Sequence, residues 1–358
     1  MHPLIERALA APGSLTAEDF EQLLSHPDYE ELRAAAYGVK CRLVGKVVSL
    51  RGLIELGNVC GKDCLYCGIR RSNRAVERYR LGEEDAVRLA RWCLEQEYGS
   101  VVIQSGEVQS EENTAFIERI VRRIHGVAGE RLGITLCLGE QTEETYRRWR
   151  EAGAHRYLLR IETSDPSLYA AIHPSDHSYA VRLGCLRTLK ALGYQTGSGV
   201  MTGLPGQTLG QLARDICLFR ELDLDMIGMG PFIPHRDTPL GRGLELTSEY
   251  ASRQLQLGLR MIAVTRLALP DVNIAATTAL QALDDQGREQ GLLAGANVIM
   301  PNVTDTQFRR NYQLYEHKPC LDENSAQCRN CLTWRVLGIG EKINWGQRGD
   351  SPHATRNH

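Results

Sequence analysis

Short apolar runs of six to eleven residues alternate along most of the chain with longer stretches in which apolar positions return every three or four residues. The first pattern predicts buried strands and the second amphipathic helices. Eight runs qualify as strands: KVVSLRGLIEL from Lys46, SVVIQS from Ser100, GITLCL from Gly133, RYLLRIE from Arg156, YQTGSGVM from Tyr194, LDMIGM from Leu224, VNIAAT from Val272 and ANVIMP from Ala296. Helical periodicity fills the gaps, as in EEDAVRLARWCLEQE, ENTAFIERIVRRIHG, EETYRRWREAG, SYAVRLGCLRTLKALG, TLGQLARDICLFREL, SEYASRQLQLGLRMIAVTRLAL and DDQGREQGLLAG. Gly153 and Gly193, placed between a helix and the next strand, are helix C-cap positions.

Strands this uniformly apolar belong in a parallel sheet covered by helices. Eight strand–helix units predict an α/β fold, a closed (β/α)8 TIM-type barrel, with an open doubly wound sheet as the alternative. Residues 1–44 read as an N-terminal helical lead-in, 45–303 as the barrel and 304–358 as a C-terminal extension. The final GQRGDSPHATRNH has little to bury and is expected to be disordered. In a barrel, residues at strand C-terminal ends face one common mouth.

Charge narrows the function classes. The 42 Lys and Arg against 44 Asp and Glu leave a net charge of −2, which gives no electrostatic reason for a nucleic-acid or anionic-membrane partner. No apolar run approaches the roughly 20 residues needed to cross a bilayer. The N-terminus lacks the basic-then-apolar pattern of a secretory signal, so a cytoplasmic location is expected. The 11 cysteines would then be mostly reduced, and clustered ones are better read as metal ligands than as disulfides.

The densest cluster is NVCGKDCLYCGIR, with Cys60, Cys64 and Cys67 directly after the first strand. Three close thiolates suit three corners of a cubane cluster and leave one iron open for an amino and carboxylate chelate. Structural zinc wants four ligands, usually two close pairs. Gly61 and Gly68 fit a loop wrapped around a bulky inorganic group. Three inert thiols have no reason to crowd a polar loop.

Other segments fall at the mouth. Gln104, Ser105, Gly106 and Glu107 follow the second strand, where backbone groups and Glu107 would suit an ammonium; an ordinary turn is the plain alternative. Arg160 and Glu162 end the fourth strand and Arg182 follows on a helix. Charges there must pair with one another or bind a ligand such as a carboxylate or ribose. Gly203, Pro205 and Gly206, and then Gly228, Gly230, Pro231 and His235, form Gly/Pro loops after the fifth and sixth strands. Thr277 and Thr278 end the seventh. Cys320, Cys328 and Cys331 make a second group, C-x7-C-x2-C, open to a second Fe–S centre or to zinc. Cys41, Cys93, Cys137, Cys185 and Cys217 occur singly and read as core residues.

The pattern C-x3-C-x-aromatic-C, with Tyr66 as the aromatic, resembles the signature of the radical S-adenosylmethionine superfamily. With QSGE, RYLLRIET, MTGLPGQT, GPFIPHRDTPL, ATTA, GANVIMPN and YQLY in that order, the chain resembles its [FeFe]-hydrogenase maturase family from about Lys46 to Cys331. That resemblance implies a (β/α)8 barrel holding a [4Fe-4S] cluster on Cys60, Cys64 and Cys67. It also implies reductive cleavage of S-adenosyl-L-methionine to a 5′-deoxyadenosyl radical. The implied substrate is a small cysteine-bound Fe(CO)2(CN) synthon on its way to the diiron site. Gln104, Glu162, Arg182 and Tyr312 match cofactor contacts, and Arg51, Ser105, Thr135, Arg156, Thr278 and Tyr315 match the lining of the inner substrate cavity. Cys320, Cys328 and Cys331 match an accessory Fe–S cluster. An electron donor such as ferredoxin or flavodoxin and other maturation proteins are the implied partners. One departure stands out: the family often carries Arg-His-Glu-Thr where this chain has Arg160, Ile161, Glu162 and Thr163.

Rival readings are a biotin-synthase-like or methylornithine-synthase-like radical enzyme, and, from another class, a non-catalytic Fe–S carrier or zinc protein. Biotin synthase needs ligands for a sacrificial cluster deep in the barrel, and only Cys137 lies near a strand end.

Overall fold

The computed structural model describes residues 1–356. Eight parallel strands carry it: β1 (Val47–Leu50 and Gly52–Gly57, interrupted at Arg51), β2 (Ser100–Ser105), β3 (Gly133–Cys137), β4 (Arg156–Leu158), β5 (Gln195–Ser198), β6 (Met226–Ile227), β7 (Asn273–Ile274) and β8 (Val298–Ile299). β1 to β7 lie side by side in chain order in one sheet. β8 closes the ring: it pairs with β1 at Ser49–Val298 and Leu50–Ile299 and bridges to β7 at Ala275–Val298. Each observed strand lies within a predicted run or within one residue of it. The last three are only two residues long. Met201–Thr202 and Gly230–Pro231 pair as a short separate ladder.

Helices Glu83–Glu95, Glu111–Ala128, Glu143–Glu151, Tyr179–Ala191, Leu209–Glu221, Ser248–Ala268 and Gly287–Leu293 cover the outside. Ser110, Thr142, Ser178, Thr208 and Thr247 cap five of them, each side chain accepting from a backbone N–H of the first turn. Gly153 and Gly193 sit at φ 119° and 75° as expected past helix ends. The core runs between helices and sheet, with Val101, Ile103, Leu136, Trp149 and Phe219 fully enclosed. No helix among the described residues is long and apolar enough to cross a membrane.

The lead-in is three helices, Pro3–Ala10, Ala17–Leu24 and Tyr29–Leu43. The third buries Lys40 in an ion pair with Glu341, both side chains fully enclosed.

The chain after β8 carries helix Ser325–Gly338 and then β9 (Lys342–Ile343), which pairs with the first half of β1. The following residues are not disordered, against the expectation from composition. They cross the N-terminal end of the barrel and close it. Arg51 Nη2 and Asn273 Nδ2 donate to the Gly349 carbonyl at 3.2 and 2.9 Å. Arg156 donates to the Arg348 carbonyl at 2.6 Å and pairs with Asp350, which also accepts from Gln195 at 3.0 Å. Ser351 is fully buried. The tail hides almost no apolar surface; its role is to supply acceptors to arginines that the barrel has buried. The last two positions of that stretch, 357 and 358, lie outside the described residues.

Candidate functional site

At the strand C-terminal ends a cavity of about 320 Å³ opens between the sheet and the crossing loops. Cys60, Cys64 and Cys67 line one wall. The segment carrying them is pinned at both ends. Gly61 N–H donates to the Glu107 carbonyl at 2.7 Å and Gly68 N–H to the Leu314 carbonyl at 2.9 Å. A Cβ on Gly68 would come within 2.2 Å of the Gln313 carbonyl, and one on Gly106 within 2.2 Å of the Val59 carbonyl and 2.8 Å of Cys60 Cβ. Backbone therefore packs directly on the cysteine loop, a fit only glycine allows.

Burial pushes all three thiols up, Cys64 to about 12. Buried thiolates without a countercharge are unstable, so such a set wants a metal. The Lys62 and Glu107 N–H groups, 3.4 Å from Cys60 Sγ, already point donors at a ligating sulfur. Among the described residues no three His, Cys, Asp or Glu stand close enough to share a single metal ion. Three half-buried thiols around one glycine-lined hollow fit an Fe–S cluster.

Two histidines hold the loop from outside. Tyr66 OH lies 3.2 Å from His173 Nε2, and Asp63 N–H donates to His177 Nε2 at 3.3 Å. His173 Nδ1 faces the Tyr169 carbonyl at 2.9 Å, which makes Nε2 the acceptor. Burial keeps this ring neutral, with its pKa pushed down to about 3.

Opposite the cysteines stand the charges. Glu162 is buried at φ 66°, a left-handed conformation a non-glycine residue adopts at a cost of about 1–3 kcal/mol. Burial raises its carboxyl, while Arg160, 3.0 Å away, and Arg182 oppose the shift. The mutual pairing that the sequence left open is therefore present, yet it is incomplete: Arg160 Nε and the neighbouring Thr277 Oγ1 have no hydrogen-bond partner. Orphaned buried donors beside an open cavity are groups awaiting a ligand. Arg182 lies 2.6 Å from Glu140, whose other oxygen meets Lys62 at 2.8 Å. Burial works to raise the Glu140 carboxyl, and Arg182 and Lys62 outweigh it and hold it low.

Gln104, Ser105, Glu162, Arg182, Thr278, Tyr312 and Tyr315 line this cavity together with the cysteines. Arg51 and Thr135 do not. They face a separate space of about 20 Å³ deeper in the barrel, room for a water, behind a partition of Leu158, Gly228 and Met300. Arg156 is farther still, at the start of β4, where it binds the C-terminal tail. These three therefore do not share the lining formed by Ser105, Thr278 and Tyr315. β strands place residues by depth, and all three sit at or below mid-strand. Glu107 is corrected as an ammonium ligand: its carboxylate accepts from the Glu140 N–H at 2.8 Å and lies 3.4 Å from Lys62. Cys137, read as core, ends β3 and faces the cavity.

The second cysteine group lies in the C-terminal segment, outside the cavity lining. Cys328 is buried on helix Ser325–Gly338, Cys331 is exposed one turn later, and Cys320 precedes the helix at φ 62°. A hydrogen bond from Cys328 lowers the Cys320 thiol to about 6.

The sequence reading passed over Lys62, Glu140, His173, His177 and the cavity-lining pair Glu55–Lys318. A lysine inside the cysteine loop and the spacing HPSDH were the available signals.

Residues 54–217 match the family model described as Radical SAM superfamily. The chain is 44% identical over 338 residues to the [FeFe] hydrogenase maturase subunit HydE of Thermotoga maritima, spanning 93% of this chain and 94% of that one. It is 28% identical to 3-methylornithine synthase of Methanosarcina acetivorans, over 91% and 89% of the two chains. Among solved structures, methylornithine synthase PylB superposes with a TM-score of 0.80 at 24% identity, covering 96% of this chain and 98% of that one.

Proposed function

The chain belongs to the radical SAM superfamily and, within it, to the HydE family, and on that premise we propose that it acts in assembly of the [FeFe]-hydrogenase diiron site, on a cysteine-bound Fe(CO)2(CN) synthon. The enzyme class and its cofactors, a [4Fe-4S] cluster and S-adenosyl-L-methionine, follow from the family. The observation that carries the reading is the convergence of three half-buried cysteines and orphaned polar groups on one barrel-mouth cavity.

Cys60, Cys64 and Cys67 would hold the cluster, which when bound supplies the electron that splits the sulfonium into methionine and a 5′-deoxyadenosyl radical. Arg182 would take the cofactor carboxylate, with Arg as the natural partner for that group. Glu162, held rigid by its strained backbone, would accept from the ribose hydroxyls. Gln104 and Tyr312 would complete the cofactor wall. Ser105, Thr278 and Tyr315 would present hydroxyls to a small amino-acid-like substrate in the same cavity. The closed barrel floor excludes water from the radical's side. Ile161 is buried beside the site without an imidazole, so no proton transfer is assigned to that position. Cys320, Cys328 and Cys331 would hold the accessory cluster. A ferredoxin- or flavodoxin-type donor and other maturation proteins complete the proposed partners, and a cytoplasmic setting suits them.

The test is anaerobic reconstitution with iron and sulfide, then electron paramagnetic resonance of the reduced protein with and without S-adenosylmethionine. A cluster signal that changes on addition, with 5′-deoxyadenosine and methionine as products, is expected. Bound metal with no response would overturn the reading in favour of a carrier or zinc protein.

A further inference from the structure

Along the cavity wall, four charged side chains form one network. Glu140 occupies its centre. One carboxylate oxygen accepts from Lys62 Nζ at 2.8 Å, and the other lies 2.6 Å from Arg182 Nε as an ion pair without hydrogen-bond alignment. Glu107 completes the ring, with one oxygen 3.4 Å from Lys62 and the other accepting the Glu140 N–H at 2.8 Å. The side chains of Glu140, Glu107 and Arg182 are 4%, 7% and 9% exposed, so salt and water screen these contacts little.

The members come from separate parts of the fold. Lys62 lies within the metal-holding loop, between Cys60 and Cys64, and Arg182 is on the helix after β4. Glu140 reaches both from the loop after β3. Lys62, Arg182 and Glu107 line the cavity, whereas Glu140 is set back from it. Glu140 therefore touches no ligand. Its orientation is fixed in turn: the adjacent Gly139, at φ 75°, leaves just the room the Glu107 carboxylate fills.

We propose that Glu140 is a positioning residue that sets the distance between the cysteine loop and the Arg182 guanidinium, and thereby the fit of S-adenosylmethionine between them. The inference rests on the cofactor reading above. A ligand whose amino and carboxylate groups meet the open iron, and whose carboxylate also meets Arg182, must match that separation. One carboxylate bound to both supports acts as the spacer. A glutamine at this position accepts from one cation and presents its NH2 to the other, so it cannot serve both.

Charge and position predict opposite signs. If Glu140 merely offset the Arg182 charge, its neutralisation would strengthen carboxylate binding. If it positions Arg182, neutralisation weakens binding.

The experiment compares reconstituted wild type with Glu140→Gln and Lys62→Met for iron content, 5′-deoxyadenosine formation and the S-adenosylmethionine concentration that half-converts the reduced-cluster resonance. Expected are unchanged iron per chain, a roughly tenfold rise in KM and in that half-conversion concentration, and kcat within about threefold; loss of one charge-assisted hydrogen bond is of that order. The double variant should be no worse than either single one, because both cut the same tie. An unchanged or lowered KM in Glu140→Gln, with an active wild type, overturns the positioning role. Should Glu140→Gln fail to hold iron, Lys62→Met decides alone, and a wild-type KM there also overturns it. An inactive, unresponsive wild type would instead sink the cofactor reading itself.

Discussion

Gly106→Ala adds a single methyl group and removes no proposed ligand, yet the geometry makes it a severe change. The new Cβ would lie 2.2 Å from the Val59 carbonyl oxygen, 2.7 Å from its carbon and 2.8 Å from Cys60 Cβ. Real contacts of this kind stay beyond 3.0 Å, so something must retreat by about 0.8 Å. Glu107, next to Gly106, is bonded to the opposing loop, and Gly106 N–H donates to the Gly57 carbonyl at 3.0 Å. The freer side is the cysteine loop, and Cys60 moves with it. Overpacking of one methyl costs about 1–3 kcal/mol of stability, which for a chain of this size lowers Tm by a few degrees. The catalytic cost is of similar size, since a shift near 1 Å can cost about 100-fold in rate, or about 2.7 kcal/mol. The assay is 5′-deoxyadenosine formation after anaerobic reconstitution, with iron, sulfide and Tm measured on the same sample. The expected outcome is a folded protein that cleaves S-adenosylmethionine about 100-fold more slowly. Wild-type turnover in Gly106→Ala would refute the argument that backbone contact at Gly106 places Cys60.

Cys64→Ala should abolish S-adenosylmethionine cleavage while Cys328→Ala only reduces it, read as product per chain; equal loss in both would overturn the accessory role of the C-terminal cysteines. Lys40→Ala should cost about 3–5 kcal/mol in urea unfolding by leaving the buried Glu341 charge with the Tyr37 hydroxyl, 2.6 Å away, but no cation, and Lys40→Met with Glu341→Leu should recover most of it; equal midpoints for all three would count against it. Stability should fall on mild acidification. Burial pushes His155 and His173 down to about 3 from an ordinary 6.5. Above pH 6.5 both forms of the chain leave them neutral. Below it the unfolded chain takes up protons that the folded one refuses, at about 1.4 kcal/mol per pH unit for each ring until pH 3. Burial raises the Asp215 carboxyl to about 7, which pulls the other way over the same window, so the histidine share is read as the change in the pH 7-to-5 difference of urea midpoints in His155→Gln, and no change there would exclude it.

The barrel was legible because its strands are apolar on both faces and its helices carry the 3.6-residue stripe. The cysteine loop was legible because its spacing is a local property. What escaped were residues whose roles depend on depth along a strand. Arg51, Thr135 and Arg156 share strands with mouth residues, but pattern alone gives their alternation, not their height. The tail escaped for a related reason. Its value lies in carbonyls and one Asp350 offered to buried guanidinium groups, which hydropathy does not register. Two arginines inside apolar runs were the hint that acceptors must arrive from elsewhere. Glu140 looked like an ordinary loop residue, and only the fold brings Lys62 and Arg182 to it.

Pairing between β9 and β1 has a consequence for biosynthesis. Val47 waits for Lys342, a partner made about 15–60 s later at ordinary translation speeds of about 5–20 residues per second. During that interval the first strand has an unoccupied edge and the barrel has no floor. Such long-range closure folds slowly and exposes sticky surface meanwhile. The nascent chain should therefore depend on chaperones until its tail is released, and crippling the tail should show first as lost yield of soluble protein.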